Sequence, residues 1–168
     1  MRWLLTLAFG LAGAVLIAGG ATAKQSIRCD VAAFTFSTAT ATLGPDDLSW
    51  TATGNTTLDC TGRPLMGIDV WEHAVVSPPT RGEVGTVAGK ARILIDFTGA
   101  GIREFRGQVR GMADCTAAPL CPLTLEIRAQ SQSGAHLELD QAGVLDLDTG
   151  TLSLDVVSGL LVTPPFPT

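Results

Sequence analysis

The sequence contains few basic residues: 11 Lys and Arg stand against 16 Asp and Glu, which gives a formal net charge of −5. A protein that binds nucleic acid needs a basic surface to neutralise phosphates, and a protein that docks to anionic lipid needs one as well. The acidic balance therefore argues against nucleic acid as a partner and against docking to an anionic membrane surface.

Aromatic residues are also scarce. The sequence has no Tyr, and beyond the first 23 residues its only tryptophans are Trp50 and Trp71. Barrels that cross the outer membrane carry girdles of aromatic residues at both interfaces. We therefore expect no stable insertion of the mature chain in a membrane.

The amino-terminal segment has the features of a secretory signal peptide. Arg2 supplies a positive charge, and Ala21-Thr22-Ala23 provides the small residues that a signal peptidase recognises. The apolar run from Leu4 to Ala18 is too short to span a bilayer comfortably. We predict that residues 1–23 are removed, that the mature chain begins at Lys24, and that the protein is secreted or periplasmic.

The sequence lacks a C-x-x-C pair, and no histidine lies close in sequence to a cysteine, which argues against a zinc site. Its cysteines are Cys29, Cys60, Cys115 and Cys121. An even number of cysteines in an exported chain indicates two disulfides, for which three connectivities are possible. We favour Cys29–Cys60 and Cys115–Cys121, and we expect no cofactor.

No long stretch has a helical period, whereas short runs that alternate apolar and polar residues recur, as in Leu123–Arg128. Glycines between such runs predict turns at Gly54-Asn55, Gly89-Lys90, Ser133-Gly134, Gln141-Ala142-Gly143 and Thr149-Gly150. We therefore predict one all-β domain over residues 24–163, followed by a Pro-rich tail at 164–168. The predicted architecture is an antiparallel β-sandwich, immunoglobulin-like or similar, with about eight to ten short strands.

No catalytic motif stands out. Asp148-Thr149-Gly150 matches the catalytic triplet of aspartic proteases, but that chemistry needs two carboxylates, and a turn between two strands has the same composition. His73 lies beside Trp71 and Glu72, yet the sequence lacks the Gly-x-Ser-x-Gly element of serine hydrolases. On a strand, Glu72 would point to the face opposite Trp71 and His73. We therefore expect a protein that is not an enzyme.

Three residues are candidates for contact with a ligand or partner: Trp71, Arg106 and Arg110. Arg106 and Arg110 have the same parity on a strand, so they can share a face, whereas Arg103 would point the other way. The two arginines can bind an anionic glycan or a partner carboxylate. They can also pair with neighbouring acids such as Glu104 across strands. Both interpretations stay open at this point.

Two segments, 29–36 and 56–62, resemble the opening of the spore coat U and archaic fimbrial subunit domains. Cys29 and Val31 begin an apolar segment that contains Phe34 and Phe36, and Cys60 is followed by Thr61 and a glycine. The resemblance implies an immunoglobulin-like sandwich in which Cys29 and Cys60 are bridged. It also implies assembly into fibres by donor-strand exchange, in which a strand from one subunit completes the next.

Together these observations favour an exported, non-enzymatic envelope or extracellular domain that acts by binding or by structural association. Its partner is expected to be a protein or a glycan. One alternative is a pilus-type or coat-type subunit that assembles by strand exchange, and a second alternative is a small secreted hydrolase.

Overall fold

The computed structural model describes residues 26–61, 66–97 and 101–164, and these residues form eight β-strands. The predicted signal peptide lies outside the described residues, and so does most of the predicted tail. The strands are β1 (Ile27–Leu43), β2 (Leu48–Cys60), β3 (Met66–Val76), β4 (Val84–Phe97), β5 (Gly101–Asp114), β6 (Leu120–Ser131), β7 (His136–Asp146) and β8 (Thr151–Thr163). None of the described residues belongs to a helix long and apolar enough to cross a membrane.

The eight strands form a closed antiparallel barrel. Each strand pairs with its neighbour in sequence, and β1 also pairs with β8, where Ile27 lies opposite Thr163 and Asp30 lies opposite Leu160. The prediction of an all-β antiparallel fold is confirmed, but the prediction of a sandwich is wrong. The strands are 11 to 17 residues long, rather than short, and consecutive hairpins curl one sheet until its two edges meet.

Three predicted turns lie inside strands, and glycine explains the error. Gly54-Asn55 belongs to β2, Gly89-Lys90 to β4, and the segment 141–143 to β7. A Cβ atom at Gly89 would lie 2.0 Å from the carbonyl oxygen of Val75 on the next strand. Glycine is needed there because two strands approach closely, so it does not mark a turn. The turns predicted at 133–134 and 149–150 are confirmed, with Gly134 and Gly150 at positive φ.

Inward-facing side chains fill the barrel. Buried and more exposed residues alternate along β2 and β6, which places one apolar face of each strand inside. Trp50, Phe97 and Phe105 are among the largest side chains in this core. Where β1 begins, the surrounding apolar side chains leave a cavity of only about 10 Å³, room for about one water molecule. The described side chains around this cavity are therefore closely packed.

The two disulfides lie at opposite ends of the barrel and confirm the favoured connectivity. Cys29–Cys60 joins the start of β1 to the end of β2, with an S–S distance of 2.02 Å. Cys115–Cys121 brackets the connection between β5 and β6, with an S–S distance of 2.09 Å. We call these the Cys29 end and the Cys115 end. Backbone hydrogen bonds join three connections at the Cys115 end, including those from Gly82 to Cys115 and from Leu147 to Pro119.

Candidate ligand-binding site

A row of polar side chains crosses five strands on the outer face of the barrel. The strand register places His73, Arg92, Arg106, Gln130 and His136 directly opposite one another, in that order, from β3 to β7. All five are exposed. Neighbouring strands are about 4.8 Å apart, so the row is about 19 Å long. We call it the arginine row.

The centre of the row is an arginine pair held by one carboxylate. Arg92 and Arg106 are direct cross-strand neighbours, and like charges in that arrangement repel. Glu104 offsets the repulsion: its Oε1 atom accepts hydrogen bonds from Arg92 Nε at 2.6 Å and from Arg106 Nε at 2.7 Å. These two hydrogen bonds lower the pKa of Glu104 to about 2, and the one from Arg92 has the larger effect. Glu104 therefore stays ionised between the two guanidinium groups over the physiological pH range.

Both arginines retain donors for another anion. Each binds Glu104 through Nε, and among the described residues neither Arg92 nor Arg106 has a further hydrogen-bond partner for its terminal nitrogen atoms. Arg128 on β6 differs, because it binds both Glu126 and Glu138. The arginine pair thus presents two guanidinium forks side by side, a geometry that suits carboxylate and sulfate groups.

Trp71 lies next to this pair. It occupies the outer face of β3, is half-buried, and is directly opposite Leu94 on β4. Arg92 precedes Leu94 by two residues on the same face, so Trp71 and Arg92 are diagonal neighbours, with Cα atoms about 7 to 8 Å apart. Of the three residues singled out in the sequence, the structure thus brings Trp71 and Arg106 to one surface region.

The other arginines of the cluster lie elsewhere. Arg110 shares the outer face of β5 with Arg106 but is four residues further along, where its Nη2 atom donates to Gln108 at 3.1 Å. Arg103 has the opposite parity and is half-buried at the Cys29 end. Its guanidinium lies 5.8 Å from the ring centroid of Phe97 and donates to Thr163 Oγ1 at 2.5 Å.

Two shallow grooves meet at the arginine row. The larger, of about 650 Å³, extends towards the Cys29 end and is lined by Glu104, Arg106 and the hydroxyl residues Ser131 and Ser133. The smaller, of about 380 Å³, follows β5 to β7 past Arg106. Arg106 and Gln130 line both grooves. A ligand that crosses the row therefore finds charged and hydrogen-bonding side chains on both sides of Arg106.

A separate polar cluster lies inside the barrel. Trp50 Nε1 donates to Glu72 Oε1 at 2.9 Å, and Gln141 Nε2 donates to Glu72 Oε2 at 2.7 Å. Burial raises the pKa of Glu72 above its usual value, although the hydrogen bonds from Gln141 and Trp50 oppose that shift. Gln141 Oε1 is buried without a hydrogen-bond partner among the described residues. This cluster joins β2 and β3 to the opposite wall at β7.

The Asp148-Thr149-Gly150 triplet forms the turn between β7 and β8. Asp146 Oδ1 accepts hydrogen bonds from the backbone nitrogen atoms of Asp148, at 2.9 Å, and Thr149, at 3.4 Å. Asp148 forms an exposed ion pair with Arg81 at 2.6 Å. Within the described part of the chain, no three His, Cys, Asp or Glu side chains are grouped so that they could hold a metal ion. The triplet thus has the geometry of a turn.

Comparison of the chain with protein-family models, with curated proteins and with solved structures gave no match. The interpretation of the arginine row therefore depends on its own geometry.

Sequence reasoning missed Arg92 and the role of Glu104 as a shared partner. Arg92 is 14 residues before Arg106 in the chain, and only the register of β4 against β5 places them opposite each other. The sequence does indicate that Glu72 faces the interior, because on a strand it has the same parity as Val70 and Ala74, which face the core. Gln141 was missed because its segment was predicted to be a turn.

Proposed function

We propose that this protein is an exported, non-enzymatic binding module whose arginine row, together with Trp71, binds an acidic glycan. The observation that carries the proposal is the arginine pair: Arg92 and Arg106 face each other on adjacent strands and share one oxygen of Glu104. Their terminal nitrogen atoms can bind the carboxylate or sulfate groups of a sugar. The indole of Trp71 offers an apolar surface beside them for a pyranose ring.

The distribution of charge supports an acidic ligand. Among the described residues, five of the eight basic side chains lie on the outer face of β4 to β6, although the chain as a whole is acidic: Lys90, Arg92, Arg106, Arg110 and Arg128. Two neighbouring acids, Glu126 on β6 and Glu138 on β7, are bound by Arg128. These charged outer positions are also consistent with a barrel that is surrounded by water.

The close packing of the described side chains supports binding on the outer surface. A sugar or another small ligand needs a pocket of about 300 Å³ or more, whereas the cavity that the described side chains enclose where β1 begins measures about 10 Å³. The two disulfides are typical of proteins from oxidising compartments. With the predicted signal peptide, they support a protein that acts in the periplasm or outside the cell, where acidic polysaccharides are available.

The alternatives have less support. Assembly by strand exchange needs an open edge, and each of the eight described strands pairs with a neighbour on both sides. A hydrolase of the aspartic type would need a paired carboxylate, and the single Asp148 triplet lies in a turn. A binding module requires neither an open strand edge nor a pair of catalytic carboxylates.

Calorimetric titration of the mature protein tests the proposal, with an oligogalacturonate and a sulfated oligosaccharide as acidic probes and an uncharged oligosaccharide of equal length for comparison. We expect an acidic probe to bind, the uncharged one to bind poorly, and added salt to weaken binding. Arg106→Gln and Arg92→Gln should each weaken binding about tenfold or more, because each removes charge-assisted hydrogen bonds.

Arg81→Gln is the matched control. It removes one positive charge, like the test variants, but Arg81 lies at the Cys115 end and pairs with Asp148. The affinity of the Arg81→Gln variant for the acidic probe should match that of the wild type. Equal binding of charged and uncharged oligosaccharides, or an Arg106→Gln variant that binds as tightly as the control, would contradict the proposal.

A further inference from the structure

The permanent charges of the arginine row lie at its centre. Thr51 on β2 is directly opposite His73 and is exposed, so it continues the row by one strand. We call the resulting series the extended row, which consists, from β2 to β7, of Thr51, His73, Arg92, Arg106, Gln130 and His136. It is about 24 Å long, whereas its two arginines are one strand spacing, about 4.8 Å, apart. A ligand that lies along these six side chains therefore meets permanent positive charge only at its middle.

A pair of hydrogen-bonding side chains occupies each end of the extended row. At one end Thr51 Oγ1 lies 3.4 Å from His73 Nδ1, and at the other end Gln130 Nε2 lies 3.1 Å from His136 Nδ1. An amide nitrogen only donates, so Gln130 donates to this ring nitrogen and leaves the opposite one, Nε2, as a donor. The ends thus present a hydroxyl group, an amide oxygen and ring nitrogen atoms. Each of these groups can bind a sugar hydroxyl, and none supplies a permanent charge to balance an acid.

The ends of the extended row are too far from the arginine pair for charges to interact strongly. Thr51 is two strand spacings from Arg92, and His136 is two from Arg106, which is about 10 Å in each case. Exposed charges are largely screened beyond about 8 Å at physiological ionic strength. Lys90 lies beside Arg92 on the outer face of β4, so it adds to the same central region. A second acidic group of a ligand, placed at either end, therefore gains little from these cations.

Negative charge is in excess beside the β7 end of the extended row. Arg128 lies next to this end on β6 and is shared by two carboxylates, Glu126 and Glu138, so one of their two charges is not balanced. Arg28 is the next exposed cation along the direction of the row in the described part of the chain, and it is two strands past His136. An acidic group of a ligand at this end is therefore repelled rather than bound.

Two further carboxylates lie near the opposite end. Asp69 precedes Trp71 by two residues on the outer face of β3 and is directly opposite Asp96 on β4. Like charges in that arrangement already repel, so another acidic group beside them is unfavourable. The residues of β2 opposite His73 and Trp71 are uncharged: Thr51 and Thr53. The surface around Trp71 therefore suits an uncharged sugar.

We propose that the extended row selects a glycan in which an acidic sugar has uncharged sugars on both sides, over a glycan that is charged on every residue. This inference rests on the proposed function and names the class of acidic glycan that the site binds. The acidic group binds Arg92 and Arg106, and the flanking sugars bind the uncharged ends of the row and the indole of Trp71. Specificity is a difference between two affinities. Each additional acidic group loses hydration without gaining a cationic partner, which lowers the affinity for the fully charged glycan.

Calorimetric titration with three pentasaccharides tests this proposal: one with a uronic acid only at its central residue, one with a uronic acid at every residue, and one without charge. The titrations are run at physiological salt and about pH 8, above the range in which imidazole groups usually titrate. We expect the singly charged probe to bind about threefold or more tightly than the fully charged one, and about tenfold or more tightly than the uncharged one. If neither charged probe binds more tightly than the uncharged one, the proposed function is itself wrong. If the fully charged probe binds as tightly as the singly charged one, or more tightly, only this inference is overturned.

Thr51→Lys tests the role of the uncharged ends. It adds a cation two strand spacings from Arg92, so it should raise the affinity for the fully charged probe about threefold or more and change that for the singly charged probe less than about twofold. Thr124→Lys is the matched control, because it makes the same change at an exposed position of β6, six residues from Gln130 and outside the extended row. It should leave both affinities unchanged, and thermal melting curves show whether each variant is folded. A folded Thr51→Lys variant that keeps the preference of the wild type between the two charged probes would also overturn the inference.

Discussion

Trp50 donates its indole N–H to the carboxyl group of Glu72 at 2.9 Å, deep inside the barrel. Within the described part of the chain, Glu72 has two hydrogen-bond donors, Trp50 and Gln141, and both are uncharged. A buried carboxylate that lacks a positive partner is unfavourable, because it loses its hydration without a compensating ion pair. We infer that the barrel favours the neutral form of Glu72.

This arrangement makes the stability of the barrel depend on pH. Burial raises the pKa of Glu72 in the folded protein above its usual value of 4.5. The folded protein therefore binds more protons than the unfolded chain between the two pKa values. The stability contributed by the neutral acid is fully present below pH 4.5 and is lost as the pH rises through the folded-state pKa. Glu72→Gln should abolish this loss, which urea unfolding at a series of pH values will measure.

The control for that variant is Glu72→Ala. It also removes the titrating group, but it leaves the indole of Trp50 and the amide of Gln141 without their acceptor. An unsatisfied buried donor costs about 1 to 3 kcal/mol, so Glu72→Ala should be less stable than Glu72→Gln at every pH. If Glu72→Gln and the wild type respond alike to pH above 4.5, Glu72 does not have the raised pKa that we assign to it.

A second prediction concerns glycines inside strands. A Cβ atom at Gly111 on β5 would lie 1.9 Å from the carbonyl oxygen of Thr124, whereas one at Gly85 on β4 would meet no atom within 4 Å. Gly111→Ala should lower the free energy of unfolding by about 1 to 3 kcal/mol, because the added methyl group overpacks the space between the two strands. Gly85→Ala should change its stability by no more than about 0.5 kcal/mol. Chemical denaturation will measure both, and equal losses would show that close strand approach is not the reason for Gly111.

A third prediction concerns the disulfides. Thiol titration of the unreduced, unfolded mature protein should find no free thiol. Replacing Cys29 and Cys60 together with serine should cost about 4 kcal/mol, and replacing Cys115 and Cys121 about 2 kcal/mol, since the first bridge closes a longer loop. The sequence separations are 31 and 6 residues. Four free thiols would refute the disulfides, and a larger loss from the shorter loop would refute the loop-length argument.

Much of the local structure could be predicted from the sequence. The alternating segment Leu123–Arg128 predicts a strand with one buried face, and it lies in β6, where Leu123, Leu125 and Ile127 are buried. The architecture could not be predicted in the same way. The alternation of apolar and polar residues shows that one face of a strand is buried. It does not show whether the sheet closes on itself or packs on a second sheet. Gly89 is predicted to lie in a turn, because the sequence does not reveal that two strands approach closely there.

The candidate site was predictable only in part. Strand parity was enough to place Arg106 and Arg110 on one face and Arg103 on the other. The position of Arg92 opposite Arg106, and of Trp71 diagonal to Arg92, depends on the register between β3, β4 and β5. That register is set by the lengths of the connections and by the packing of the whole barrel. A single strand carries none of this information.

Glu104→Gln tests the central claim most directly. Glu104 binds the Nε atoms of both arginines and leaves their terminal nitrogen atoms to the ligand, but its negative charge lies beside that site and repels an acidic ligand. Replacing it with an uncharged residue of the same shape should raise the affinity for an acidic oligosaccharide about threefold or more at low salt, as measured by calorimetric titration. An affinity that is unchanged or lower than that of the wild type would contradict binding of an acidic glycan at Arg92 and Arg106.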